Sequence, residues 1–265
     1  MTNAIPTTRE RSFGTYIRRY ARLWPVVSWG LFVVVGAYCV AAVLGLAYFP
    51  DPLAGIVPVD AFNYWNADPY TSVHDRYSPA FYVVIAPLRA LPWEAFLAVW
   101  TALHFVAIAF LGPWTIVLAF DDVIRGNITT FLAVAVVLAV RGHAWTWAAV
   151  ILTKVTPGVG VLYHVGRREW RAVGLAIGAT LLLVAVTWPT GLWPDWFETL
   201  AAAPENYATV DLIAPLPVRL AVGVALCLAA ARWVWLLPVG MIVAMPGLLP
   251  SSFALLAALP RLLRR

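Results

Sequence analysis

The chain has 265 residues, of which 62% are hydrophobic and only 12% charged, with a mean hydropathy of +0.82 and a net charge of +5. A soluble domain is about half apolar and about a quarter charged, so these values exclude a soluble globular enzyme, a disordered chain and a nucleic-acid-binding domain. They leave an all-α, polytopic transmembrane helical bundle.

Residues 1–25 read as a basic cytoplasmic segment, an amphipathic helix on the membrane surface. Arg9, Arg11, Arg18, Arg19 and Arg22 precede the first apolar run, and arginines flank the cytoplasmic ends of membrane spans. The run Val26–Phe49 has 24 residues. A signal-peptide core has about 7–15, so this is a first transmembrane helix that leaves the N-terminus in the cytoplasm. The transmembrane domain spans 26–260, with a basic tail at 261–265 and about 7–9 membrane segments, some of them short or re-entrant.

An outer loop follows at 50–77 with Asp51, Asp60, Asp68 and Asp75 among aromatics. Ser78–Leu91 is apolar and short, and is expected to return inward to Arg89 and Pro92. Trp93–Phe120 is expected to run outward as one long helix or one broken at Gly112-Pro113. It would carry the polar patch Asp121–Asn127 at its far end, and Ile128–Val140 would come back to Arg141. Ala144–Val165 has Thr153-Lys-Val-Thr-Pro157-Gly158 at its centre, a poor middle for a plain helix. A single pass would also place Arg167, Arg168 and Arg171 outside. The expectation is a re-entrant hairpin of two half-helices with Lys154 and Pro157 near the apex, lining a cavity. Ala172–Trp193 crosses outward, a second outer loop occupies 194–215, Leu216–Ala231 returns, and Trp233–Pro260 forms two short segments.

Of the 18 basic residues, 17 are arginine, and Lys154 is the only lysine. An ammonium inside an apolar segment is costly unless it is paired or lines a wet cavity, so Lys154 is a functional candidate, with a structural ion pair or a snorkelling lysine as the alternative. Asp60, a carboxylate among aromatics at the membrane surface, is a candidate base, the alternative being a solvated loop acid. Asn66-Ala67-Asp68-Pro69-Tyr70 reads as a turn. His74-Asp75-Arg76-Tyr77 is either a phosphate or sugar contact or an interfacial anchor. Arg125 with Gly126-Asn127 is a second cationic element. His104 and His164 are read as structural groups near helix ends, and Asp121-Asp122 as a hydrated helix end that can hold a metal only weakly. Cys39 and Cys227 lack metal or redox spacing and read as small buried apolar groups. No metal or cofactor is called for.

An outer carboxylate above cations suits a lipid-phosphate substrate. Six short motifs occur in order: Asp60 in the first outer loop; Ala67-Asp68-Pro69-Tyr70; Tyr77-Ser78-Pro79-Ala80 leading to Ala86-Pro87-Leu88-Arg89-Ala90-Leu91-Pro92; Gly126-Asn127; Lys154-Val155-Thr156-Pro157; and Arg167-Arg168-Glu169-Trp170-Arg171-Ala172. In this order the chain resembles glycosyltransferase family 87, integral membrane enzymes of the GT-C fold that use polyprenyl-phosphate sugars. The resemblance covers about residues 26–205, with a shortened C-terminal half. It implies a GT-C-like bundle and inverting transfer of a sugar, mannose above others, from polyprenyl phosphate to a lipid or glycan acceptor on the extracytoplasmic side. By the resemblance Asp60 is the general base and Lys154 contacts the donor phosphate or a cavity carboxylate. Arg125, Asn127, Asp68, Tyr70, His74, Arg76 and Tyr77 complete the expected substrate contacts. The rival readings are a transporter or flippase for an anionic lipid-linked substrate, and a non-catalytic subunit of a cell-envelope assembly. Expected partners are the lipid-linked donor, the acceptor and the membrane, with no nucleic acid and no assigned oligomeric state.

Overall fold

The computed structural model describes residues 8–45, 58–66, 69–70, 77–201 and 214–264, with the backbone alone for 8–22. The described residues are helical and contain no strand. The helices are α1 (Thr8–Val43), α2 (Val59–Asn66), α3 (Pro79–Arg89), α4 (Trp93–Leu111), α5 (Ile116–Arg125), α6 (Thr129–Val140), α7 (Trp147–Thr153), α8 (Leu162–Gly166), α9 (Trp170–Thr187), α10 (Trp193–Ala201), α11 (Leu216–Ala229), α12 (Leu236–Val243) and α13 (Leu259–Leu263). Short 3-10 turns join several of them, and a longer one, Pro250–Ala258, leads into α13.

Among the described residues three segments are long and apolar enough to cross a membrane: Leu23–Val43, Trp93–Leu111 and Trp170–Thr190. The other apolar helices are shorter; α6, for example, reaches only about 18 Å. On α1 and α9 large apolar side chains face outward, among them Val33, Val34, Leu181, Leu182 and Val186. An exposed apolar surface of this extent fits lipid and not water. The basic segment and the first span are one helix: α1 passes through Pro25 without a break, where a separate surface helix was expected for 1–25.

Gly112 makes the largest departure from the expected path. Its φ of +139° is open to glycine alone, and it ends α4 just before Pro113. The chain then reverses instead of continuing outward. Trp100 of α4 reaches the Gly126 carbonyl at 2.8 Å, and His104 lies 3.8 Å from Asp122. As the number rises on α4 it falls on α5, so the two helices are antiparallel. α1 runs parallel to α5: the Trp114 N–H donates to Ser28 Oγ at 3.0 Å, and Cys39 lies beside the Phe120 carbonyl. The α4–α5 turn therefore sits at the basic end of α1, where Trp24 meets Trp114 edge-on. Arg261 links Phe110 to the end of α6, donating to the Phe110 carbonyl while its own carbonyl accepts from Arg141.

The Arg89–Trp93 turn lies at the other end of α4, against α2. Trp65 donates to the Leu91 carbonyl at 2.9 Å, and Phe62 packs edge-on to Trp93. The expectation that Arg89 and Arg141 share one side, with Trp93–Phe120 a single outward run, is thus overturned. Arg89 is held by the Trp65 carbonyl and the Tyr82 ring, and needs no cytoplasmic surface. Cysteines introduced singly at the exposed positions Ala90 and His143 should react with an impermeant maleimide from opposite faces of sealed vesicles. Labelling from one face only at both would restore the single outward run.

The segment after α6 folds as a hairpin. Lys154 leaves α7 in an extended conformation (φ −134°, ψ 97°), and Pro157 opens the 3-10 turn Thr156–Val161. The return leg lies against α7. A Cβ on Gly158 would come within 2.9 Å of Ile151, and one on Gly160 within 2.6 Å of Trp147. Only glycine permits so close an approach. The same device joins α11 to α12, where Gly223 and Gly240 face each other's carbonyls, as small residues do between membrane helices. Arg219, buried at the start of α11, donates to the Ala214, Met245 and Pro246 carbonyls and staples the far end of this pair. Cys39 and Cys227 are both buried.

Candidate functional site

The site grows out of the end of α5. Gly126 (φ +70°) donates its N–H to the Val123 carbonyl, and Asn127 donates to the Asp122 carbonyl at 2.8 Å. This is the Schellman pattern, in which a left-handed glycine ends a helix and satisfies its last carbonyls. The turn it makes is open on one side, and α2 packs there. A Cβ on Gly126 would lie 2.4 Å from the Ala61 Cβ. The missing side chain lets α2 come down onto the turn, and so brings Asp60, the neighbour of Ala61, to Asn127.

Asn127 is nearly fully buried and bridges three elements. Its amide Nδ2 donates to Asp60 Oδ2 at 2.9 Å. Its Oδ1 accepts from the Thr129 hydroxyl at 2.8 Å, from the Thr129 N–H at 3.3 Å and from Lys154 Nζ at 3.2 Å. Lys154 Nζ also donates to Thr129 Oγ1 at 2.8 Å. Hairpin apex, α6 start and α2 start are joined in one polar relay, Asp60–Asn127–Lys154, inside an apolar body.

Each end of the relay keeps one free valence. Among the described residues Asp60 has no other hydrogen-bond partner, which leaves Oδ1 open; Lys154 has a third ammonium proton beyond the two it gives to Asn127 and Thr129. Burial raises the Asp60 carboxyl above its ordinary value. The Asn127 hydrogen bond and the charges of Lys154 and Arg125 pull the other way without overcoming it. A carboxylate so placed is a better base than one in water.

Asp121 and Asp122 are not a hydrated helix end: both are buried. Asp121 pairs with Arg125 Nε at 3.3 Å. Asp122 Oδ2 accepts from the Thr130 N–H at 2.7 Å and from its hydroxyl at 2.5 Å. The helix end is dry because α6 and α4 cover it. His104 is likewise not near a helix end; it is buried within α4. His164 does lie near the end of α8, with Nδ1 2.7 Å from Glu169 Oε2.

Of the expected site residues, Asp60, Asn127 and Lys154 are brought together, and Arg125 stands close by. Tyr70 and Tyr77 lie behind Tyr64, one turn beyond Asp60 on α2. Tyr77 and Tyr64 share a hydroxyl–hydroxyl bond of 2.7 Å, and the Tyr70 hydroxyl donates to the Tyr77 carbonyl at 2.8 Å. Asp68, His74 and Arg76 fall outside the described residues. Thr129 and Thr130 were not singled out from the sequence. Their signal is two adjacent hydroxyls directly after Gly126-Asn127-Ile128, at the head of an otherwise apolar run.

No family model, curated protein or solved structure matches the chain.

Proposed function

We propose that this chain is an integral membrane glycosyltransferase of the GT-C kind, moving a sugar, mannose first among candidates, from polyprenyl phosphate to a lipid or glycan acceptor. The observation that carries the reading is the Asp60–Asn127–Lys154 relay, a carboxylate and an ammonium held on opposite sides of one amide. The acceptor hydroxyl gives its proton to Asp60 Oδ1, and its oxygen attacks the anomeric carbon from the face opposite the phosphate. The bond from the anomeric carbon to the phosphate oxygen breaks, polyprenyl phosphate leaves, and the anomeric configuration inverts. Lys154 offers its third proton to the developing charge on the phosphate, with Arg125 adding to the local field. The 7–9 segment topology, with the site facing the extracytoplasmic side, belongs to this reading. So do the six motifs of family 87.

The broken hairpin at Lys154 supports a second reading, a transporter that binds an anionic lipid-linked substrate beside the break. Purified protein in liposomes carrying labelled polyprenyl-phosphate-mannose and envelope lipid extract separates the two. A transferase converts the donor to free polyprenyl phosphate and a mannosylated product. A transporter moves the donor across the bilayer with its sugar attached.

The pH profile has a defined sign. The base acts ionised, and burial holds its carboxyl above the usual range. Transfer should therefore fall away on the acid side at a pH above the ordinary carboxylate value of about 4, and be retained above it. An acid limb at or below the ordinary value would count against Asp60 as a buried base.

A further inference from the structure

Two side chains of α4, one helical turn apart, hold both carbonyls of the turn that carries Asn127. Trp100 Nε1 donates to the Gly126 carbonyl at 2.8 Å, and His104 Nε2 lies 2.6 Å from the Asn127 carbonyl. Among the described residues neither is hydrogen-bonded to Asp60 or Lys154. Asn127 meets those two through its side chain and His104 through its backbone, so the orientation of its amide depends on where the backbone is fixed.

We propose that His104, assisted by Trp100, is the positioning residue of the Asp60 site: it fixes the Gly126–Asn127 turn so that the Asn127 amide reaches Asp60 while its oxygen reaches Lys154. This rests on the reading of Asp60 as the base and names a residue that sets how that base is presented.

The chemistry around the ring is one-sided. His104 Nδ1 is 2.9 Å from the Trp100 carbonyl and Nε2 faces the Asn127 carbonyl. Carbonyl oxygens only accept, and a neutral imidazole has one N–H. The neutral ring therefore donates to one of the two carbonyls, and the shorter contact, from Nε2 to the Asn127 carbonyl, is the one that holds the turn. Asp122 Oδ2 of α5 lies 3.8 Å from Nε2. The other groups packed on the ring, Trp100 of α4 and Phe131 of α6, are uncharged. Asp60 and Lys154 lie beyond Asn127 and Thr129. The use of the ring here is its hydrogen-bonded hold on the turn, which no apolar side chain can provide.

The test reads Asp60 directly. The Asp60 carboxyl is titrated by NMR in protein carrying 13C-labelled aspartate in lipid nanodiscs, its signal assigned by its loss in D60N. N127A loses the hydrogen bond that favours the carboxylate, and its midpoint should rise by about one pH unit. H104L alone sets an apolar side chain against the buried Asp122 carboxyl and can unfold, so the deciding variant is H104L/D122N, which removes both the ring and that carboxyl. D122N alone takes away a nearby negative charge and should move the midpoint down. H104L/D122N should move it up, in the direction of N127A, with H104Q between wild type and N127A because its amide can still donate once. In wild type His104 Nε2 should appear as N–H in 15N spectra. A double variant that titrates like D122N alone, or a His104 Nε2 without its proton, overturns the proposal. The titration decides this whether or not sugar is transferred; absence of transfer by wild type counts against the reading of Asp60 as base and leaves the positioning result standing.

Discussion

Gly126→Ala is expected to destabilise the protein by about 2–5 kcal/mol and to open the site with it. Two costs add. A non-glycine residue in the left-handed region costs roughly 1–2 kcal/mol, and Gly126 sits at φ +70°. A Cβ there would stand 2.4 Å from the Ala61 Cβ and 3.1 Å from its backbone nitrogen, well inside contact distance, and overpacking of that kind costs about 1–3 kcal/mol. The obstruction is partly backbone, so α2 must move away as a unit and take Asp60 off Asn127. Ala61→Gly in the same chain relieves the side-chain clash and leaves the dihedral cost. Thermal or denaturant unfolding in detergent should therefore find the double variant between wild type and Gly126→Ala. Gly126→Ala as stable as wild type would mean that α2 does not rest on this turn.

Asp60→Asn is expected to lower transfer by about 10²–10⁴-fold, the range a positioned general base contributes, with little change in stability. Asparagine keeps the shape of aspartate, and its oxygen can still accept from Asn127 Nδ2, the hydrogen bond Asp60 makes among the described residues. It cannot take a proton. The negative charge that Lys154 and Arg125 act on is also lost. Donor affinity should change little, since the phosphate is assigned to Lys154, and the loss should fall on kcat more than on KM. Asp60→Glu is a stricter probe. Its extra methylene pushes the carboxylate off Asn127 in a site closed by Ala61 and Gly126, so a large part of the loss should persist although a base is present.

Much of this arrangement is legible in the sequence. Lys154, alone among 17 arginines and placed in an apolar run, marks the hairpin apex, and Pro157 with two glycines tells how the return leg can lie so close. The ends of α3, α6 and α11 follow from Ser78-Pro79, Arg141-Gly142 and Pro215. What could not be read is direction. Gly112-Pro113 announces a break, but the angle comes from a φ of +139° and from the Trp24 and Ser28 contacts made by a helix some 85 residues earlier. Counting arginines misplaced Arg89 for the same reason: the carbonyl and the ring that hold it belong to Trp65 and Tyr82. Asp122 looked hydrated because its sequence neighbours are polar. It is dry because Thr130 and His104, from two other helices, close over it.

The most direct measurement is transfer of radiolabelled mannose from polyprenyl-phosphate-mannose by purified wild-type protein in liposomes containing envelope lipid extract, run beside Asp60→Asn. Labelled product with release of polyprenyl phosphate in wild type, and its loss in a folded Asp60→Asn variant, is the expected result. Wild type that transfers neither mannose nor any other polyprenyl-linked sugar, or an Asp60→Asn variant as active as wild type, would contradict it.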